Sequence, residues 1–153
     1  TLAGSSSSGS TDGTASAARF YSPTGLDASP DGALLFVADR SNHRIRQVAI
    51  ATGAVTTLDA SFFYPSGVAV SPDGALLFVA ENSYHRIQRL ELATGAVTTL
   101  AGSAYGSYGS ADGAGDAARF YGPNGLAASP DGTLLFVADS SNNRIRQAPQ
   151  RPS

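Results

Sequence analysis

The chain has 153 residues, a 42% hydrophobic fraction and a formal net charge of −2. Such a composition supports a packed core and excludes global disorder. All ten basic residues are arginine, and this near-neutral balance argues against a nucleic acid as partner, because polyanion affinity depends on clustered positive charge. No apolar run approaches the length of a membrane span. The absence of Cys excludes disulfides and thiolate chemistry but leaves the compartment open.

The chain also contains no Met. We therefore expect a sequence that was processed or that belongs to a longer chain, so that the absence of a signal peptide carries no information about secretion.

Residues 1–4 read Thr-Leu-Ala-Gly, as do residues 99–102, so they predict the end of an earlier repeat, an orphan outer strand. Residues 5–19 and 103–119 predict long polar loops rich in Ser, Gly and Ala, of the kind that is either functional or weakly ordered.

One stretch of the sequence occurs three times with few changes. It begins with Ser-Pro-Asp-Gly, continues through Leu-Leu-Phe-Val-Ala and ends near Arg-Ile, at residues 29–46, 71–88 and 129–146. Three near-copies in a short chain indicate a repeat protein.

Each copy predicts four short antiparallel strands. Phe-x-x-Pro-x-Gly and Ser-Pro-Asp-Gly are turn sequences that flank a short apolar strand. The Leu-Leu-Phe-Val-Ala run is too short for a helix and is typical of a strand buried on both faces. The alternating segment 44–50 follows, and Ala51-Thr-Gly53 predicts a hairpin turn into a fourth strand at 55–58.

The predicted fold class is therefore all-β, and a four-stranded repeat of about 40–45 residues is the signature of a β-propeller blade. We assign blade 1 to residues 20–58, blade 2 to 62–100 and an incomplete blade 3 to 120–147. Residues 148–153 form a Pro/Ser tail where the fourth strand of blade 3 is expected.

Phe-x-x-Pro-x-Gly, Ser-Pro-Asp-Gly, Leu-Phe-Val-Ala-Asp and Asn-His-Arg-Ile-Arg together resemble the NHL repeat. The Leu-Ala-Gly-Ser…Asp-Gly…Ala-Arg-Phe loop resembles its plant, algal and bacterial version. The resemblance implies a propeller that typically has six blades. It also implies a function among scaffolds, RNA binders and a few enzymes.

The strand count gives three blades in all, whereas propellers close with about four to eight. Two explanations stay open. Either the chain is part of a longer array of repeats, or copies of it associate. In the second case Thr1 and Leu2 would complete the last blade of a partner copy, and two copies would form one six-bladed ring.

Acidic and basic residues recur five positions apart in each repeat, across one tight loop. We interpret them as structural clasps that close the hairpins rather than as a ring of binding residues. The predicted pairs are Asp39 with Arg44, Glu81 with Arg86, and Asp139 with Arg144.

The sequence predicts no catalytic residue, no bound metal and no cofactor. His43 and His85 lack the accompanying ligands of a metal site. Asp27 stands where the other repeats have Ala and is the first residue to mutate if an activity is found.

The alternatives are an NHL-family hydrolase or lyase with a metal in the channel, which bound metal would favour, and an RNA-binding module, which salt-dependent RNA retention would favour. The absence of Lys and of catalytic motifs weighs against both.

The preferred prediction is a non-catalytic scaffold whose partners are further copies, further repeats or other proteins, with neither a membrane nor a nucleic acid as partner. Positions that differ between repeats are the candidates for contacts. An extracellular or cell-surface location is favoured, and the Ser-rich segments would then be sites for O-linked sugar. The contact candidates are Asp27, Arg40, Tyr84, Arg89, Tyr105 and Tyr108.

Overall fold

The structure is a computed structural model that describes residues 1–151. These residues form twelve β-strands and four short 3-10 turns, arranged as three antiparallel sheets. Each sheet corresponds to one repeat of the sequence, so the prediction of an all-β, partial propeller is confirmed. No helix within residues 1–151 is long and apolar enough to cross a membrane.

The first sheet, blade 1, has five strands in the order β1-β5-β4-β3-β2. They are β1 (Gly13–Thr14), β2 (Pro23–Ala28), β3 (Leu34–Asp39), β4 (Arg44–Ala49) and β5 (Ala54–Asp59).

Blade 2 has four strands and blade 3 has three, each in sequential order. Blade 2 contains β6 (Pro65–Val70), β7 (Leu76–Glu81), β8 (Arg86–Glu91) and β9 (Val97–Gly102). Blade 3 contains β10 (Pro123–Ala128), β11 (Leu134–Asp139) and β12 (Arg144–Pro149).

The recurring Ser-Pro-Asp-Gly sequence forms a self-contained turn between the first two strands of each blade. In blade 3, the Ser129 hydroxyl donates to the Asp131 carboxylate at 2.5 Å and accepts the Leu134 N–H at 2.8 Å. The hydrogen bond from Ser129, with those from the Thr133 N–H and hydroxyl, lowers the pKa of Asp131 to about 2. Gly132 closes the turn at a φ of +73°, a conformation that favours glycine. The motif is therefore fully used in building the turn.

The innermost strand of each blade begins earlier than the sequence predicts. It starts at the Pro of Phe-x-x-Pro-x-Gly, and its pairing with the next strand shifts register between Pro23 and Leu26 in blade 1. The apolar pattern of residues 26–28 did not reveal this, because the additional residues approach the neighbouring blade by backbone rather than by apolar side chains. A Cβ at Gly25 would lie 2.8 Å from the Gly67 Cα of blade 2.

The core lies between the blades. Phe36 and Ile45 of blade 1 pack into one buried cluster with Leu77, Val79 and Leu90 of blade 2. Such burial contributes roughly 1.5–3 kcal/mol for each large apolar side chain.

The interface between blade 2 and blade 3 repeats this arrangement. Phe78 and Ile87 of blade 2 lie in a second buried cluster with Leu135 and Val137 of blade 3. Each blade thus presents Phe and Ile on one face and Leu and Val on the other.

The predicted outer strand at residues 1–4 is not a strand in the structure, because no strand among residues 1–151 pairs with it. Its position is nevertheless the one that the end of β9 occupies against blade 3. The Gly4 N–H donates to the Ala15 carbonyl at 2.9 Å, and the Gly102 N–H donates to the Gly115 carbonyl at 3.0 Å.

The first loop and the tail also differ from their predicted descriptions, whereas residues 103–119 contain no strand of a sheet, as predicted. Residues 5–19 contain β1, which pairs with β5, and a 3-10 turn at Ala15–Ala17. Strand β12 extends to Pro149, so the tail begins later than residue 148. Its last two positions, 152 and 153, lie outside the described residues.

Candidate interaction surfaces

Blade 3 carries exposed large apolar side chains on the face directed away from blade 2. Phe136 is 38% exposed and Ile145 is 76% exposed. Their counterparts in the two earlier repeats are at most 1% exposed; these are Phe36, Ile45, Phe78 and Ile87. We name this surface, defined by Phe136 and Ile145, the Phe-Ile face.

Blade 1 carries the complementary surface at the other end of the chain. Leu35, Val37 and Val48 occupy the positions that Leu77, Val79 and Leu90 occupy in blade 2. They line an apolar groove of about 190 Å³, together with Leu2, Ala3, Phe20, Pro23 and Leu26. We name this surface, defined by Leu35, Val37 and Val48, the Leu-Val face. Val37 and Val48 are buried against Ala3, Ala18 and Phe20, so the open part of this face consists of Leu35 and the exposed Leu2 and Leu26. Phe and Ile fill the equivalent surface of blade 2, so the two end faces follow the pattern that joins the blades.

The third sheet also has an unpaired outer edge, since no strand follows β12 within residues 1–151. In blade 1, the corresponding place is taken by β5, which contacts the preceding loop through Asp12. The Asp12 carboxylate accepts hydrogen bonds from the Thr57 N–H and hydroxyl, both at 3.0 Å. In blade 3, Asp112 has no such strand to contact, and its side chain is 91% exposed, against 47% for Asp12.

Leu2 and Ala3 lie against blade 1. Both line the groove of blade 1, and Ala3 packs against its buried cluster. Leu100 and Ala101, at the end of β9, pack in the same way into the cluster shared with blade 3. Leu2 and Ala3 thus contact blade 1 as Leu100 and Ala101 contact blade 3.

The carboxylates of the predicted clasps are buried, but two of the three pairs have a different arginine. Asp39 bonds to Arg46 at 2.8 Å, and Asp139 bonds to Arg146 at 3.0 Å. The predicted pairing of Asp39 with Arg44 and of Asp139 with Arg144 is therefore wrong. Although each lies opposite its acid in the strand register, Arg144 donates instead to the Ser110 carbonyl at 3.1 Å. Glu81 does contact Arg86, because its longer side chain reaches the nearer arginine, and it also accepts from Gln88 at 3.2 Å.

Arg46 was missed by reasoning from the sequence, although it is fully buried and joins the first long loop to its blade. It donates to the carbonyls of Arg19 and Thr11 at 2.9 and 3.1 Å and to the Asp12 carboxylate at 2.6 Å. Its guanidinium lies over the Phe20 ring, 5.1 Å from the centroid.

Arg146 makes the corresponding contacts with the second long loop. It donates to the carbonyls of Arg119 and Ala111 at 3.0 and 2.9 Å and to the Asp112 carboxylate at 2.6 Å. Blade 2, which lacks a long loop, has Gln88 at the equivalent position. An arginine that occurs only in repeats preceded by the long loop was therefore the signal available in the sequence.

Asp27 connects two blades. One carboxylate oxygen accepts the N–H of Val70 in blade 2 at 2.8 Å, and the other accepts the N–H of Ala28 at 2.9 Å. Both oxygens are thus engaged in holding strand ends.

The remaining contact candidates are dispersed. Tyr105 is 94% exposed, and Tyr108 is also exposed and stacks on Tyr121 with 4.8 Å between ring centroids. Tyr84 packs beside Phe63 and under the Arg86 guanidinium. Arg89 approaches only Glu91, at 3.9 Å.

His43 and His85 join adjacent blades through backbone hydrogen bonds. The Nδ1 atom of His43 accepts the Tyr64 N–H, and that of His85 accepts the Gly122 N–H, both at 3.1 Å. Each ring also packs against aromatic side chains of the next blade. Within residues 1–151, no group of three or more His, Asp or Glu side chains is arranged to hold a metal ion.

Three successive blades, joined by alternating apolar faces, define the chain as a segment of a β-propeller. Residues 20–48 and 120–147 match the family model described as NHL repeat. Two of the three repeats, those of blades 1 and 3, therefore match the NHL repeat.

Solved structures share this fold. An auxiliary nutrient binding protein from Bacteroides thetaiotaomicron is 20% identical with a TM-score of 0.68, over 80% of this chain and 36% of that one. A gluconolactonase from Xanthomonas campestris is 22% identical with a TM-score of 0.59, over 77% and 35%. A chain of a nidogen/laminin complex is 15% identical with a TM-score of 0.60, over 82% and 47%.

The chain thus spans between about one third and one half of the length of these structures. No curated protein matches its sequence. The similar structures include binding proteins and enzymes, and at these identities the likeness shows the fold alone.

Proposed function

We propose that the chain is a non-catalytic scaffold that assembles with further NHL blades through its two free faces. The observation that carries the proposal is the match between the exposed Phe136 and Ile145 at one end and the apolar groove at the other. Burying surfaces of this kind is the driving force of most protein association.

The occupant that we propose for both faces is a second copy of the chain. Three blades from each copy give six, which lies within the range in which propellers close. Residues 1–4 of one copy would then pair with the free edge of β12 in the other. The support is that Leu2 and Ala3 contact blade 1 as Leu100 and Ala101, at the end of β9, contact blade 3. Further repeats of a longer chain would use the same faces.

The test is the mass of the chain in solution, measured by sedimentation at about 1 and 100 μM. We expect a species of twice the 15.5 kDa chain mass at the higher concentration. Ile145→Ser removes apolar surface from the Phe-Ile face and should shift the population towards single chains. Tyr105→Ser is the matched control, because it removes a more exposed side chain that lies on neither face.

A monodisperse single chain at 100 μM would overturn the proposal, as would an equal response to the two substitutions. Deletion of residues 1–4 tests strand exchange separately. If these residues complete the partner's third blade, the deletion should weaken association by at least tenfold. Because the deletion also removes the contacts of Leu2 and Ala3 with blade 1, association is compared under conditions in which circular dichroism shows the dissociated variant to be folded.

The proposal includes the absence of an enzymatic role. It is supported by the use of the recurring carboxylates in buried hydrogen bonds and of Asp27 at strand ends. Hydrolysis of lactone or ester substrates by the purified chain, lost on Asp27→Ala with the fold retained, would overturn this part.

A further inference from the structure

A concave cavity lies where the first strands of the three blades converge. Of the residues that line it, only Leu26 also lines the groove of blade 1. Its volume is about 630 Å³, and backbone and side chains of β2, β6 and β10 form most of its wall. Two side chains from the loops after β3 and β7 complete the wall, Arg40 and Asn82.

Arg40 supplies the charge of this cavity. Its Nε atom is buried and has no hydrogen-bond partner, and none of the ion pairs among residues 1–151 includes it. No acidic residue lines the cavity. The Nε atoms of Arg46 and Arg89 are also unpaired, but those guanidinium groups lie beside carboxylates, whereas that of Arg40 does not. Because a buried donor without a partner is costly, the Arg40 guanidinium favours an acceptor brought by a ligand.

The position of Arg40 argues against a role in building the blade. The equivalent residues in the other repeats are Asn82 and Ser140, whereas the residues that hold each blade together recur as Asp or Glu, Arg and Gly. Because the cation occurs in one repeat of three, positive charge lies on one side of the cavity only. Such a wall suits a ligand that carries its negative charge at one end.

The rest of the wall is polar and offers hydrogen bonds. The Asn82 amide is held by its donation to the Pro123 carbonyl at 3.3 Å. The Asn124 side chain is exposed beside it. Asparagine amides of this kind can bind hydroxyl or oxyanion groups.

We propose that the cavity binds a small molecule through a carboxylate or phosphate group, which the Arg40 guanidinium receives with two parallel hydrogen bonds. Asn82 contacts the remainder of the ligand. The residues that carry this inference, Arg40, Asn82 and Asn124, all belong to one chain, so the inference can be tested on the dissociated chain.

The test is a titration of the full chain with sodium succinate and, separately, with inorganic phosphate, at constant ionic strength. The signal is the NMR resonance of the Arg40 Nε–H. We expect a saturable shift with at least one anion and a dissociation constant at or below about 10 mM. Succinate alone would identify a carboxylate site, and phosphate alone a phosphate site.

Arg40→Asn introduces the residue that the second repeat carries at this position and is expected to retain the fold. It should weaken the binding of the anion, followed by calorimetry, by at least tenfold. Arg151→Gln is the control, because Arg151 is an exposed arginine paired with Asp73 at 2.6 Å, away from the cavity. It should leave the affinity unchanged.

Three results would overturn the inference. They are no saturable shift with either anion, equal affinity in Arg40→Asn and the parent chain, or equal losses in Arg40→Asn and Arg151→Gln. Sedimentation of Arg40→Asn separates the site from the assembly. A loss of association instead of anion binding would show that Arg40 pairs with an acidic residue of a further blade, which also contradicts the proposal.

Discussion

Gly67 and Asn124 are in backbone contact across the interface between blades 2 and 3. A Cβ at Gly67 would overlap the carbonyl oxygen of Asn124, so only glycine fits. Gly25 is in the same relation to blade 2, whereas a Cβ at the third equivalent, Gly125, would meet nothing nearer than the Ala138 Cβ at 3.6 Å. The inner strands thus approach each other through glycine, and Gly125 has open space where Gly25 and Gly67 meet the next blade.

The first prediction compares these glycines. Gly67→Ala should lower the free energy of unfolding by about 3 kcal/mol, because the added methyl group forces two strands apart in a packed interface. Urea unfolding followed by circular dichroism measures the change.

Gly125→Ala is the control for this prediction and a probe of assembly. It should leave the unfolding of the dissociated chain within about 0.5 kcal/mol of the parent but weaken association at high concentration. If Gly67→Ala proved as stable as Gly125→Ala at low concentration, the close contact with Asn124 would not exist.

The second prediction concerns the arginine that holds the first long loop. Arg46→Gln introduces the residue found at this position in blade 2 and removes the buried partner of Asp39. We expect a loss of about 3 kcal/mol in the free energy of unfolding, since an uncompensated buried charge remains. Amide hydrogen exchange should show faster exchange at Arg19, whose N–H bonds to the Thr11 carbonyl at 3.0 Å within the same loop.

Arg44→Gln is the matched control, because Arg44 lies opposite Asp39 in the strand register without forming the ion pair. Its cost should stay below about 1 kcal/mol. The reverse order of the two losses would restore Arg44 as the partner of Asp39.

The fold could be predicted from the sequence because its information is local and repeated. Turn sequences and apolar runs recur in register, and each predicts the same strand wherever it occurs. The prediction of a strand at residues 1–4 was wrong because the same sequence lacked a partner strand. The pattern correctly matched residues 99–102, but strand formation requires a paired neighbour, and none of the strands within residues 1–151 pairs with residues 1–4.

The partners within the candidate sites could be predicted only in part. Spacing along the chain suggested Arg44 for Asp39, but the choice between Arg44 and Arg46 depends on the folding of a loop about thirty residues upstream, whose carbonyls Arg46 binds. Likewise, no sequence pattern shows that Arg40 lacks a partner, since this follows from what surrounds it in space.

The third prediction concerns pH. Burial raises the pKa of Asp12, but hydrogen bonds from Thr57 and Arg46 outweigh it, so the pKa lies below its ordinary value of 3.8. A carboxyl group with a lowered pKa stabilises the folded chain fully above the unfolded pKa, and the contribution is lost as the pH falls through the folded one. Asp12→Asn should therefore reduce the difference in unfolding free energy between pH 5 and pH 2.5.

The control for this experiment is Asp112→Asn, which alters the equivalent position of the second long loop. Asp112 does not contact an outer strand of blade 3 as Asp12 contacts Thr57. Other carboxylates titrate in this range in every variant, so the quantity to compare is the change from the parent chain. We expect the pH dependence of the unfolding free energy to be smaller in Asp12→Asn than in the parent chain. Identical profiles for the two variants would show that the contact with Thr57 contributes nothing.

The fourth prediction concerns the hydrogen bond that Asp27 accepts from Val70 across the interface between blades 1 and 2. Asp27→Ala leaves that N–H without its acceptor and should cost about 1–2 kcal/mol in the free energy of unfolding. Asp27→Asn keeps an acceptor oxygen and should cost less. Hydrogen exchange at Val70 should accelerate in Asp27→Ala and change little in Asp27→Asn. Unchanged exchange at Val70 in both variants would mean that Asp27 does not couple the two blades.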